Sequence, residues 1–206
     1  MNRINTVMIG TCVLALFCGC AARRAARAGF LSDYSKLQAK SEVSYRYLAP
    51  GGLSKYSKFI IDPVTIHLHG RSKAKEKTSE ADRTDMKNYM NAALIKAIGD
   101  GYEIVHRPGQ GVARIRVALT DIKKAQVLLN IHPASKLMGA GLGGVSLEGE
   151  ILDSETREQI AALVESQLGD RLSFAGLSSL GDAKAIMDDW AQRTRDRIDE
   201  AHGIQK

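Results

Sequence analysis

No cysteine follows Cys20 in this chain of 206 residues, whose three cysteines are Cys12, Cys18 and Cys20. The remainder of the chain therefore has no thiol for a disulfide or for a structural zinc site. Any folded domain beyond residue 20 must be stabilised by its hydrophobic core. This excludes the disulfide-stapled class of small exported proteins.

Two functional signatures are also missing. None of the serines stands in a G-x-S-x-G motif, so the nucleophile elbow of the α/β-hydrolases is absent. The chain has 29 basic and 23 acidic residues, but without Arg3 and the arginines near the N-terminus (Arg23, Arg24 and Arg27) the counts are 25 and 23. The basic run Arg71–Lys77 contains no aromatic residue, so we predict a solvated loop there and no nucleic-acid binding.

The N-terminus has the layout of a signal peptide. A short region carrying Arg3 precedes an uncharged stretch from Thr6 to Cys20, which is shorter than the roughly 20 residues of a membrane-spanning helix. The sequence Leu-Phe-Cys-Gly-Cys at 16–20 resembles a bacterial lipobox, with Gly19 before the cleavage site. Phe17 departs from the usual leucine, and an ordinary secretory signal is the alternative.

We therefore predict a lipoprotein signal peptide at residues 1–19 and acylation of Cys20. Ala21 in the sorting position indicates the outer membrane of a Gram-negative bacterium, facing the periplasm. Several acyl chains on one residue make a lasting anchor, whereas one chain binds only marginally.

The rest of the chain predicts an α+β domain at residues 58–206, after a lipidated tether and extended lead-in at 20–57. Its mainly antiparallel sheet would have about four to five strands, with two helices packed on one face. The predicted strands are 58–70, 102–107, 112–122, 144–153 and 158–169, with a hairpin joining the second to the third. The predicted helices begin at the capping box of Ser79 and Asp82 and at Asp182.

In the last predicted helix we expect the only tryptophan, Trp190, to lie in the core, on one face with Ile186, Met187, Thr194 and Ile198. The charged residues of that helix should fall largely on other faces; they are Asp188, Asp189, Arg195 and Asp199.

Four segments together resemble one family: GFLSDYSKL, IDPVTI, GGVSLEGEILDSETREQIAALVES and DAKAIMDDWAQRTRDRID. They are similar to bacterial lipoproteins of the domain-of-unknown-function 3313 family (DUF3313). The resemblance covers nearly the whole mature chain. It implies an envelope location and this type of fold, and it implies no activity.

Three further patterns imitate functional motifs. The segment GAGLGG at 139–144 satisfies G-x-G-x-x-G, but a strand follows it where a dinucleotide site needs a helix, so we expect a mobile or partner-contacting loop. His67 and His69 share a strand face and would provide two zinc ligands, but no third ligand is apparent. We therefore predict no metal and no cofactor.

Glu148 and Glu150 have the spacing of an acid/base pair on one strand face. Opposite charges on neighbouring strands give a simpler interpretation, in which Arg114 and Arg116 pair with these glutamates. The sequence thus favours a non-catalytic binding or scaffolding domain, with an envelope protein, a glycan or a second copy of the chain as partner. The alternative is an envelope hydrolase built from His67, His69, Glu148 and Glu150.

Overall fold

The computed structural model describes residues 25–131, 141–170, 175 and 178–204. These residues form an α+β fold with one eight-stranded sheet and four α-helices. The strands are β1 (Gln38–Ser41), β2 (Ser44–Leu48), β3 (Lys58–Ile61), β4 (Thr65–Ile66), β5 (Glu103–Ile104), β6 (Val112–Lys123), β7 (Gly144–Asp153) and β8 (Gln159–Leu168). The helices are α1 (Ala74–Lys77), α2 (Glu80–Gly99), α3 (Val127–Ile131) and α4 (Gly181–Ala201).

The sheet is larger than the sequence predicts, and it is mixed. Its order is β1-β2-β8-β7-β6-β3-β5, with β4 also paired to β6. The first five of these strands pair antiparallel with one another, whereas β3, β4 and β5 join through parallel pairs, β3 and β4 to β6 and β5 to β3. The prediction of a mainly antiparallel sheet with four to five strands is therefore wrong, although the α+β class is right.

The centre of the sheet is the β6-β7-β8 meander. β6 and β7 lie where the alternating pattern predicts them, and β8 lies where the predicted turn after β7 places it. The β7-β8 turn is closed by Asp153, whose Oδ1 accepts hydrogen bonds from the backbone N–H groups of Glu155 (2.9 Å) and Thr156 (2.8 Å). Arg157 adopts a φ of 66°, which completes the reversal. This turn fixes the register of β8, so the strand assignment for residues 158–169 is confirmed.

The predicted hairpin between residues 102–107 and 112–122 does not form. β5 pairs in parallel with β3, and β3 lies between β5 and β6. At the turn, the carbonyl of Gly111 accepts hydrogen bonds from the backbone N–H groups of Ser57 and Lys58, which bring β3 into that space. The predicted strand at 58–70 is interrupted around Pro63, which cannot donate to the ladder, and becomes β3 and β4.

Both long helices pack on one face of the sheet, which we call the inner face. α2 begins with the predicted capping box: the hydroxyl of Ser79 accepts from the N–H of Asp82, whose carboxylate accepts from the N–H of Ser79. Their apolar faces join a single core with the inner face, including Met86, Leu94 and Met187. None of the described helices is long and apolar enough to span a membrane.

Residues before 58 contribute more than the expected lead-in. β1 and β2 extend the sheet beyond β8, and residues 25–37 lie across the opposite, outer face. Leu31 packs there against Ala162 and Val164. Cys20 and the predicted signal peptide lie outside the described residues, so those assignments stay predictions.

Candidate functional site

The outer face carries the predicted carboxylate pair, covered by residues 25–37, which we call the strap. Glu148 is fully buried, with 0% exposure. Its Oε1 accepts the backbone N–H of Ala28, and its Oε2 accepts the N–H of Phe30 (2.9 Å) and the hydroxyl of Tyr34. Burial, followed by the hydrogen bond to Glu148, raises the pKa of Tyr34 to about 12, so this hydroxyl stays a donor.

Glu150, 2% exposed, has the same role two residues later. Its Oε2 accepts the N–H (2.9 Å) and the hydroxyl (2.7 Å) of Ser32 and the side-chain amide of Gln159 (3.0 Å). Its Oε1 forms a salt bridge of 2.6 Å with Arg116. Every carboxylate oxygen of the pair is therefore engaged, and the pair holds the strap on the sheet.

The predicted cross-strand pairing is half right. Arg116 lies opposite Glu150 in the β6-β7 register and contacts it, as predicted. Arg114 lies opposite Leu152 and forms its salt bridge with Asp62, so its predicted pairing with the glutamates of β7 is wrong. The reason is that β3, unexpected beside β6, brings Asp62 within reach.

Neither histidine is among the hydrogen-bond partners described above for Glu148 and Glu150. His67 follows β4 and is exposed, and the ring of Phe30 lies 6.3 Å from it, centroid to centroid. His69 accepts the backbone N–H of Arg71 at Nδ1. Within the described residues no group of three or more His, Cys, Asp and Glu side chains is arranged to hold a metal ion.

The glycine-rich segment at 139–144 lies partly outside the described residues, which resume at Gly141. Its last two glycines are packed closely: a Cβ at Gly144 would lie 2.6 Å from the carbonyl oxygen of Gln167. The N–H of Gly143 donates to the buried Asp182 of α4 (2.8 Å). Close packing against β8 and α4 explains why both positions are occupied by glycine.

Helix α4 confirms the predicted position of Trp190, which is 2% exposed in the core. Asp188 and Asp189 are exposed, as expected. Arg195 and Asp199 are buried, contrary to expectation, and form a salt bridge of 2.7 Å. The C-terminal ends of α2 and α4 are in contact at this salt bridge, where Arg195 also donates a hydrogen bond to the carbonyl of Ala97.

A cavity of about 400 Å³, which the sequence pattern does not predict, lies between α4 and the inner face. Its floor is the inner side of β6, β7, β8 and β2, and Trp190 is part of its wall. Two small residues, Gly149 and Ala161, make room in this floor. The apolar side chains lining it include Met90, Leu94, Ile115, Val117, Leu147, Ile151 and Leu163. The available signal was Gly149 itself, in the middle of an otherwise regular strand pattern.

The mouth of the cavity is polar. Glu165 of β8 forms salt bridges of 2.8 Å with Arg46 of β2 and with Arg193 of α4, and it accepts the indole N–H of Trp190 (2.8 Å). Burial acts to raise the pKa of Glu165, but the hydrogen bonds from Arg193, Trp190 and Arg46 outweigh it and hold the pKa at about 2. Arg197 and Glu200 form an exposed pair at the outer rim.

Solved structures of low identity are similar to this chain. A PelC dodecamer from Paraburkholderia phytofirmans has a TM-score of 0.43 and 10% identity, over 75% of this chain and 95% of that chain. Protein XCC0632 from Xanthomonas campestris, of the DUF330 family, has a TM-score of 0.34 and 8% identity, over 73% and 86%. A putative neuraminyllactose-binding hemagglutinin homologue from Helicobacter pylori has a TM-score of 0.32 and 10% identity, over 74% and 84%.

None of the curated proteins matches the chain. A family model does match: the one described as "Protein of unknown function (DUF3313)" covers residues 26–194. The match includes the strap, the whole sheet and most of α4. The chain therefore belongs to the DUF3313 family.

Proposed function

We propose that the protein is a lipid-anchored, non-catalytic binding or scaffolding protein of the Gram-negative envelope, acylated at Cys20 and held on the periplasmic face of the outer membrane. The observation that carries this proposal is the strap. The chain just after the predicted lipidation site is part of the fold, held by two buried carboxylates.

The engagement of Glu148 and Glu150 supports a non-catalytic role. A general acid or base must reach the proton that it transfers, at hydrogen-bond distance from the substrate. These two carboxylates are buried, and their oxygens accept bonds from the strap, Gln159 and Arg116. A substrate would have to remove the strap to reach them, so the hydrolase built on this pair has no support.

The position of the strap also supports attachment close to a membrane. Five residue steps separate Cys20 from Ala25, which span at most about 18 Å when fully extended. Ala25 is already tied to the fold by a backbone hydrogen bond of 3.1 Å to Glu42. An acylated Cys20 would therefore hold the domain beside the bilayer, with the exposed Arg27 near its headgroups.

Palmitate labelling and membrane fractionation test the anchor. Cys20→Ser should abolish labelling and release the domain from membranes, whereas Cys18→Ser, the matched control, should label normally. Persistent labelling of the Cys20→Ser protein would show that the acylation site is assigned wrongly.

The binding partner belongs to one of three classes: an envelope protein, a glycan or a second copy of the chain. Crosslinking of the acylated protein in membranes, followed by its purification, separates self-association from binding of another envelope component. A ladder of multiples of one mass identifies self-association, and a crosslink to a different mass identifies another envelope component.

A further inference from the structure

We propose that the inner-face cavity binds one fatty acid, with its chain on the floor around Gly149 and its carboxylate at Arg46 and Arg193. This inference goes beyond the proposed function and does not depend on acylation of Cys20. It rests on the floor of the cavity, on its volume and on the arginine donors at its mouth.

The floor is open because Gly149, at its centre, has no side chain. Gly149 faces the helices, between Leu147 and Ile151 on β7, and lies opposite Val117 and Leu163 in the register. A Cβ added there would meet Val117 at 3.6 Å, an ordinary van der Waals contact, so packing does not require glycine. Glycine inside a strand weakens it, and such a position often marks the close approach of a ligand.

The size of the cavity selects a single chain. Ligand pockets commonly have volumes of roughly 300 to 1,000 Å³, and about 400 Å³ lies at the lower end of this range. If a methylene group needs about as much space as a water molecule in the liquid, about 30 Å³, roughly a dozen such groups fit. Two acyl chains of that length do not fit inside it together, so a single chain matches the cavity better than an intact diacyl lipid.

The N–H donors at the mouth select a carboxylate. The mouth itself has no net positive charge, because its acidic residues balance its arginines: Glu165, Asp196 and Glu200 against Arg46, Arg193 and Arg197. Arg46 and Arg193 are about one-third exposed and share one buried partner, Glu165. Each uses its Nε and Nη2 atoms for bonds to other residues; within the described part of the chain Nη1 of each has no protein partner. Arginine is well suited to bind a planar carboxylate with such donors.

Titration of the full chain carrying Cys20→Ser, which has no acyl chain of its own, tests the proposal. Trp190 is the only tryptophan and lines the cavity, so its fluorescence reports binding. Dodecanoate should bind saturably with one site per chain, about tenfold more tightly than dodecanol, and 12-bromododecanoate should quench Trp190. Absence of saturable binding below the micelle concentration, or equal affinity for dodecanol, would overturn the proposal.

Filling the floor should block binding without unfolding the protein. Gly149→Leu should weaken dodecanoate binding at least tenfold while the melting temperature is unchanged or higher. Ala161→Leu offers a second route if Gly149→Leu does not fold, and Ala39→Leu on the exposed strand β1 is the matched control. Wild-type affinity in both floor variants, once folded, contradicts the proposed position of the chain.

The arginine at the mouth should control the choice between acid and alcohol. Arg46→Gln should lower the preference for dodecanoate over dodecanol to about twofold or less, whereas Arg71→Gln, an exposed charge elsewhere, should leave it near tenfold. A preserved preference in Arg46→Gln would show that the carboxylate binds elsewhere.

Discussion

The two faces of the sheet are covered in different ways. The inner face is packed against α2 and α4, and its contacts are mainly apolar, with the Glu165 cluster as its buried ionic group. The outer face is covered by the strap, an irregular segment that is attached largely by hydrogen bonds to Glu148 and Glu150. A helix satisfies its own backbone, whereas an irregular segment brings N–H groups that need acceptors. Buried carboxylates on the outer face meet that need.

The two faces should also contribute differently to the free energy of unfolding. Apolar burial stabilises in proportion to the area removed from water, so the inner face should contribute most to global stability. The outer face depends on a few charge-assisted hydrogen bonds, which are strong when made and costly when one partner is lost. We expect mutations of the inner face to unfold the domain and mutations of the outer face to release the strap first.

The largest effect is expected for Trp190→Ala on the inner face. Removing a buried tryptophan typically costs about 3 to 5 kcal/mol, and here Glu165 also loses a donor. Urea denaturation measures the loss. Asp189→Ala removes only an exposed i,i+4 salt bridge with Arg193 and should cost at most about 0.5 kcal/mol. Similar losses for both variants would contradict the buried position of Trp190.

Glu148→Gln should release the strap and lower the free energy of unfolding by about 2 to 3 kcal/mol. All the partners of Glu148 are hydrogen-bond donors, so the NH₂ group of a glutamine would face donors and find no acceptor. Hydrogen exchange at Ala28 and Phe30 should rise more than exchange in α2. Glu155→Gln, at an exposed turn, is the control. Unchanged protection of the strap would show that Glu148 does not hold it.

Glu165 should make the inner face sensitive to acid. Its folded pKa of about 2 lies below the ordinary 4.5, so the unfolded chain takes up the proton first as the pH falls. The associated stability, on the order of 1 to 2 kcal/mol, is complete above about pH 4.5 and is lost toward pH 2. Free energies of unfolding measured over this window should fall less steeply in Glu165→Gln than in the wild type. Equal slopes would argue against this pKa.

The smallest expected effect concerns the salt bridge between Arg116 and Glu150 on the outer face. A double-mutant cycle of Arg116→Met with Glu150→Gln should give a coupling of about 1 kcal/mol, since this pair is in contact across β6 and β7. The cycle of Arg114→Met with Glu148→Gln should give about zero, because Arg114 pairs with Asp62. Equal couplings in the two cycles would contradict the observed register.

Features formed by residues close together in the sequence agree with the predictions, whereas those that depend on distant segments differ from them. The capping box of α2 and the Asp153 turn lie within a few residues, and both are as predicted. Strand β7 alternates as expected, but the polar side chains of its outer face are buried, because a segment more than a hundred residues earlier covers them. The failed hairpin has the same cause: β3, distant along the chain, pairs with β6 in place of β5.

The sequence alone determined the α+β class, the two long helices, the meander of β6 to β8 and the core position of Trp190, since hydrophobic period and turn chemistry are local properties. The acceptors that hold the strap, the partner of Arg114 and the cavity above Gly149 were decided only by the tertiary structure. Each depends on which distant segments become neighbours in the sheet. The sequence specifies the chemical group of each side chain, but the pairing of strands determines which other residue that group contacts.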